Sequence, residues 1–200
     1  MHAPSRTGEL RFTHRDRVAE ILRSTAVFRE SEVDVALELF DETFSRAPLR
    51  SGAGSSSTGV RDGDAATEVH APMNPLDGYL FLGAFTPEDE LIGYACYGAT
   101  PDTDRTWDLY WIAVDPSAQG SGSGTTLLSE VERRLSGLNA RMLVVETSSR
   151  SDYAATRGFY LARGYGEAAR VRDFYAPSDD RIIFTKRFPK SPKRGGAASQ

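Results

Sequence analysis

The sequence predicts an α+β fold, a mixed and mostly antiparallel central sheet of about six or seven strands with helices on both faces. Three observations carry that prediction. Helical periodicity fills the chain before residue 45, strand-like segments dominate from residue 79, and hairpin pairs of strands stand at both ends of that second region. A doubly wound parallel sheet needs strict strand–helix alternation, and the hairpins break it.

The elements follow in order. Residues 10–13 (LRFT) read as a short strand, and residues 16–25 as a helix with Val18, Ile21 and Leu22 on one face. Ser31, Glu32, Val33 and Asp34 resemble a capping box with Asp in place of Glu. Val33, Leu37, Phe40 and Phe44 then recur at helical spacing. Residues 45–75 hold only four large apolar side chains, Leu49, Val60, Val69 and Met73, around the run SGAGSSSTG. That composition predicts a disordered insertion.

Beyond it, residues 79–85 (YLFLGAF) and 91–99 (LIGYACYGA) pair as an antiparallel hairpin, and 107–114 (WDLYWIAV) add a third strand. Asp115-Pro116 breaks the chain before a glycine-rich segment. A helix then runs from Thr125 to about Leu135, with Leu127, Leu128, Val131 and Leu135 on one face. Residues 141–147 (RMLVVET) are apolar enough for a central strand. Residues 153–163 read as a helix ended by Gly164. Strands 168–175 and 181–188 flank a solvated turn at Pro177, Ser178, Asp179 and Asp180. Residues 1–7 and 189–200 read as flexible tails around one domain, 8–188.

Composition bounds the function. The chain has 200 residues, 40% of them hydrophobic, which suits one core and would cramp two. With 24 basic against 28 acidic residues the net charge is −4, which argues against a nucleic-acid partner. The single cysteine, Cys96, excludes an internal disulfide and a cysteine-cluster zinc site, and reads as a small core residue. His2, His14 and His70 lie too far apart in sequence for a helical metal pair, so no metal is expected. No apolar run approaches the ~20 residues of a membrane helix, so no membrane partner is expected. The N-terminus lacks the apolar core of a signal peptide, and a cytoplasmic location is the expectation.

The most informative segment is Gln119-Gly120-Ser121-Gly122-Ser123-Gly124-Thr125, between a strand and a helix. Alternating glycines let backbone N–H groups converge, and a helix N-terminus adds its positive end, which suits a pyrophosphate. A Walker A loop would place lysine after the last glycine, where this chain has Thr125. A dinucleotide fingerprint has a different glycine spacing and opens an early βαβ unit.

This strand, loop and helix (LYWIAVDP, QGSGSG, TTLLSEVERRL) resemble the acyl-CoA-binding core of the GNAT acetyltransferases. Gln119, Gly122 and Gly124 fill the marked positions of that family's Gln/Arg-x-x-Gly-x-Gly/Ala motif. Downstream, Phe159-Tyr160-x-x-x-Gly164-Tyr165 resembles the second signature, with Tyr153 where the family often has Asn and Thr156 where it often has Ala. The resemblance covers about residues 79–188. It implies acetyl-CoA as acyl donor and an amine as acceptor. Residues Gly120, Ser121, Gly122, Ser123, Gly124 and Thr125 would cradle the pyrophosphate, and the main chain of Ile112, Ala113 and Val114 would pair with pantetheine like an added strand.

Direct attack needs two proton movements, since the amine must lose a proton and the leaving thiolate gain one. The family motif puts Tyr160 in the acid's place. Glu146, at the end of the apolar run MLVVE, is the first candidate base, Asp108 the second, and a water chain the third. Arg157 and Tyr153 are candidate cofactor contacts from the last helix. Tyr97, Trp107 and Tyr110 fit either the core or an acceptor lining. The expected acceptor is a small amine or amino acid. A protein or peptide amine is an alternative, as is a non-catalytic acyl-CoA sensor. A monomer or a homodimer suits the sequence equally.

Overall fold

The structure is a computed structural model that describes residues 5–45 and 78–189. In chain order it forms β1 (Arg6–Glu9), α1 (Arg15–Ser24), α2 (Glu30–Ser45), β2 (Tyr79–Phe85), β3 (Leu91–Ala99) and β4 (Thr106–Val114). There follow α3 (Ser123–Gly137), β5 (Met142–Ser148), α4 (Ala154–Leu161), β6 (Gly166–Ala176) and β7 (Asp179–Arg187). The insertion expected at 45–75, beyond Ser45, and the tail expected at 189–200, beyond residue 189, lie outside the described residues.

The strands make one seven-stranded sheet in the order β1-β2-β3-β4-β5-β7-β6. Every neighbouring pair is antiparallel except β4 with β5. The predicted class and sheet therefore hold. On one face, Val18, Ile21 and Leu22 of α1 and Val33, Leu37 and Phe40 of α2 pack onto Phe81, Phe85, Tyr94 and Cys96. On the other, Leu127, Leu128, Val131 and Leu135 of α3 and Tyr160 of α4 pack onto Leu82, Ala95, Leu143, Val145, Ile182 and Phe184. Burying each such aliphatic side chain contributes about 1.5–3 kcal/mol over leaving it exposed.

Most boundaries differ from the sequence reading by one or two residues, and three differences change what a segment does. The first strand is Arg6–Glu9, not 10–13, so Arg6 and Thr7 belong to the sheet and not to a tail. Arg6, Thr7, Gly8 and Glu9 stand opposite Phe85, Ala84, Gly83 and Leu82. Backbone pairing to β2 defines that strand, whereas the apolar residue that marked the segment, Leu10, is a buried anchor beyond its end. The second helix starts at Glu30, so Ser31 is inside its first turn; the Glu32 carboxylate accepts from the backbone N–H of Arg29 at 2.8 Å. Finally, β7 already begins at Asp179, which leaves Pro177 and Ser178 as the turn.

One irregularity positions everything else. In β3 and β4, Cys96 stands opposite Trp111 and Tyr97 opposite Leu109, so Tyr110 is an extra residue, a β-bulge. The parallel pairing of β4 with β5 covers only Thr106–Leu109 against Met142–Val145. Beyond Leu109 and Val145 the two strands part. A bulge increases local twist, which turns the end of β4 away from β5 and opens a fork in the middle of the sheet.

Candidate functional site

The glycine loop leads from the fork into α3. Asp115 caps the 3-10 turn at Pro116–Ala118 by accepting from Ser117 N–H at 2.9 Å. It also accepts from Arg17 of α1 at 2.7 Å, which ties the loop to the helical layer. These hydrogen bonds, those from Ser117 foremost, hold its carboxyl below the usual range. Gly120 (φ 75°) and Gly122 (φ 93°) are in the left-handed region, where an L side chain costs about 1–2 kcal/mol.

The first backbone bond of α3 runs from Thr126 N–H to the Gly122 carbonyl at 2.9 Å. The N–H groups of Gly120, Gly122, Gly124 and Thr125 have no backbone partner among the described residues. The first turn of α3 carries no acidic residue to oppose an anion. The hydroxyl of Ser121 turns inward, donating to the Ala118 carbonyl at 2.6 Å and meeting the Ser123 hydroxyl at 2.8 Å. The loop therefore offers its main chain, as the sequence suggests, and uses its serine side chains to brace itself.

Strand alternation divides the three β4 residues. Asp115 N–H donates to the Ile92 carbonyl at 2.8 Å, so the main chain of Ala113, two residues away, points the same way, to β3. The main chain of Ile112 and Val114 points to the open side of the fork. Gln119 accordingly reaches the Val114 carbonyl with its Nε2 at 3.2 Å. Ala113 thus departs from the expected trio, because its backbone is already paired.

A cavity of about 280 Å³ sits where β4 and β5 part, lined by Asp108, Leu109, Tyr110, Val144, Glu146 and Arg181. Glu146 Oε1 accepts a charge-assisted hydrogen bond from Nη2 of Arg181. Asp108 Oδ2 accepts from the Thr100 hydroxyl at 2.7 Å. Burial first, and then the charge of Asp108, push the Tyr110 phenol up to about 12. Both candidate bases thus share one hollow, and Tyr110 lines it with them. A second hollow of about 380 Å³ on the outer side of α3 is lined by Thr125, Thr126 and Arg133 among others.

Helix α4 brings Tyr160 beneath the fork. The residue is 2% exposed and shares its apolar cluster with Leu109 and Val145, the last paired residues of β4 and β5. Its ring meets Phe159, Tyr165 and Phe184. Burial raises its phenol well above the ordinary value. Arg157 is occupied otherwise than expected, since its Nη1 donates to the carbonyls of Ser148 and Arg150 at 2.8 Å each. Tyr153 lies under the Arg150 guanidinium, 5.3 Å from its ring centroid. Burial, with the Glu32 carboxylate adding to it, pushes its phenol up to about 12. Its charged neighbours thus lie on α2 and the β5–α4 connection.

The basic residue beside the glycine loop is Arg163, which the sequence reading missed. Its guanidinium lies 3.7 Å from the Phe159 ring centroid, and Nη2 donates to the Thr125 hydroxyl. The signal was present: Arg163 immediately precedes the Gly164 of the second motif. Trp107 and Tyr97 are each 1% exposed and belong to the core under α3, not to an acceptor lining. Asp179, expected in a solvated turn, is 4% exposed and accepts from the Ser148 hydroxyl. Closing the hairpin against β5 buries it. Cys96 is fully buried, as expected of a core thiol.

Among the described residues no group of three or more His, Cys, Asp or Glu is placed to hold a metal ion, and no helix is long and apolar enough to cross a membrane.

Known proteins share this fold. A family model described as the acetyltransferase (GNAT) family matches residues 54–165. A solved structure from Desulfovibrio desulfuricans, assigned to the GNAT family of acetyltransferases, is 36% identical, with a TM-score of 0.72. The match covers 92% of this chain and 97% of that one. Two more distant structures share the fold. The ribosomal-protein-S18-alanine N-acetyltransferase from Escherichia coli is 18% identical, with a TM-score of 0.65 over 95% of this chain and 97% of that one. The PaiA N-acetyltransferase from Thermoplasma acidophilum, solved in complex with coenzyme A, is 15% identical, with a TM-score of 0.59 over 93% and 100%. No curated protein matches the sequence.

Proposed function

The chain belongs to the GNAT acetyltransferase family, and from that premise we propose that it moves an acetyl group from acetyl-CoA to the amine of a small molecule or amino acid. The observation that carries this reading is the convergence at one fork. A loop of N–H groups and a strand edge, both without backbone partners among the described residues, and a cavity with ionisable side chains all open on it.

Acetyl-CoA is a co-substrate in this reading, and the residues suit it. The N–H groups of Gly120, Gly122, Gly124 and Thr125 receive the pyrophosphate, with Arg163 adding positive charge beside them. Ile112 and Val114 pair with pantetheine amides like an added strand. Gln119 holds the Val114 carbonyl, which fixes the junction between edge and loop.

The amine nitrogen attacks the thioester carbonyl carbon, so a C–N bond forms and the C–S bond breaks. An incoming ammonium sheds two protons over the reaction. One leaves to solvent through the base, and the other balances the proton gained by the departing sulfur. Freeing an amine of pKa about 10.4 at neutral pH costs about 4–5 kcal/mol, which is the task of the base. Glu146 takes that proton on Oε2, because Oε1 is bound to Arg181. Asp108 stands second; its Oδ1 accepts no hydrogen bond among the described residues. Tyr160 protonates the sulfur. Its burial keeps the phenol protonated through neutral pH, and its hydroxyl makes no hydrogen bond among the described residues.

A free-thiol assay with acetyl-CoA against amines, amino acids and peptides tests the reading. Turnover of amines or amino acids supports it. Turnover confined to peptides replaces the acceptor class. Thiol silence across the panel, with acetyl-CoA bound, overturns it in favour of a sensor.

A further inference from the structure

The cavity at the fork carries both signs of charge. Asp108 stands opposite Val144, Glu146 opposite Ile183, and Arg181 opposite Ser148. Opposed residues share a face, and residues two apart share it too. Asp108, Val144, Glu146 and Arg181 therefore occupy one face of the sheet. It is the face of α1 and α2, because Leu109 and Val145 lie in the opposite core.

Arg181 is the unexpected member. A cavity built only to bind and deprotonate an ammonium gains nothing from a guanidinium, which repels it. Arg181 has five N–H donors and gives one, through Nη2, to Glu146. Its Nε is shut off from solvent without a partner, and Nη1 makes no hydrogen bond among the described residues. The centroid of the Phe174 ring lies 4.8 Å from the guanidinium carbon, a cation–π contact that helps to hold the group. A guanidinium so held, with donors left over, matches a carboxylate. The cavity is also small. At about 280 Å³ it has room for a single amino acid.

We infer that the acceptor is an amino carboxylate, held by Arg181 through its carboxylate while its amine lies against Glu146 and Asp108. This rests on the acetyl-transfer reading and names its acceptor class. Arg181 is then the specificity-determining residue, and the Glu146 pairing keeps its guanidinium in place when the acceptor is absent.

The test is steady-state thiol release with matched sets: an amino acid, its carboxamide and its decarboxylated amine. Wild type is expected to favour the amino acid by about tenfold or more in kcat/KM, the scale of one charge-assisted hydrogen bond. In Arg181→Met that ratio falls toward one, mainly through a higher KM for the amino acid, and Arg181→Lys restores part of it. Acetyl-CoA affinity and melting temperature, measured in parallel, establish that each variant is folded. A wild-type preference for the carboxamide or decarboxylated amine overturns the inference, as does an unchanged ratio in folded Arg181→Met. Turnover of no acceptor at all overturns the acetyl-transfer reading, and the inference with it.

Discussion

The guanidinium of Arg163 lies 3.7 Å from the centroid of the Phe159 ring, one helical turn earlier in the chain. From that perch it donates to the Thr125 hydroxyl in the first turn of α3 and, through Nη1, to the Phe159 carbonyl at 2.8 Å. An arginine so held places a positive charge beside the loop of free N–H groups without having to be ordered when a ligand arrives.

Arg163 and Arg157 should therefore separate cleanly. Arg163→Met is expected to weaken acetyl-CoA binding about tenfold or more, the range of a charge-assisted contact, and to lower the melting temperature by several degrees as its bonds to Thr125 and Phe159 are lost. Arg157→Met removes both bonds to the Ser148 and Arg150 carbonyls and should lower the melting temperature by several degrees with little effect on that affinity. Calorimetric titration with acetyl-CoA and thermal melting of both variants check this. A larger affinity loss in Arg157→Met would reverse the two roles.

Gly122 tests the loop itself. A Cβ there meets nothing within 4 Å, so the cost of Gly122→Ala is conformational and not steric. Holding alanine at φ 93° costs about 1–2 kcal/mol, and the loop will relax away from it. Acetyl-CoA affinity should fall about fivefold to thirtyfold. An unchanged affinity would mean that these N–H groups do not hold the pyrophosphate.

Glu130 gives a prediction about acid stability. The Arg133 guanidinium, and then that of Arg134, bring its carboxyl down to about 2 from 4.5. A lowered folded-state pKa contributes stability above the unfolded value and loses it as the pH falls through the folded one. Glu130→Gln should thus melt about 2–4 °C below wild type at neutral pH, and the gap should close between pH about 4.5 and 2. Melting curves across that range decide it. A gap that stays constant would assign the loss to packing and not to charge.

Most of the fold was legible because periodicity and turn chemistry agreed along the chain. β2 and β3 begin and end where alternation predicts, at Tyr79–Phe85 and Leu91–Ala99. The first strand was misplaced because edge pairing uses the backbone, and Arg6–Glu9 carries no apolar signal. The glycine loop was legible as well, since glycine at positive φ is a local requirement written in the sequence. The fork was not. It depends on Tyr110 being an extra residue against β3, a fact of register between two strands. Arg181 was invisible for the same reason. Its link to Glu146 spans 35 residues and exists only because β7 inserts between β5 and β6.

In the proposed acetyl transfer at the fork, Tyr160 is the acid that protonates the departing sulfur. Steady-state thiol release from acetyl-CoA by Tyr160→Phe, beside its acetyl-CoA affinity, decides whether it does. The ring stays in the core, so folding and binding should be kept, while kcat falls about 10²-fold or more, as for loss of a general acid. Turnover equal to wild type, with acetyl-CoA bound as tightly, would remove Tyr160 from the acid's place.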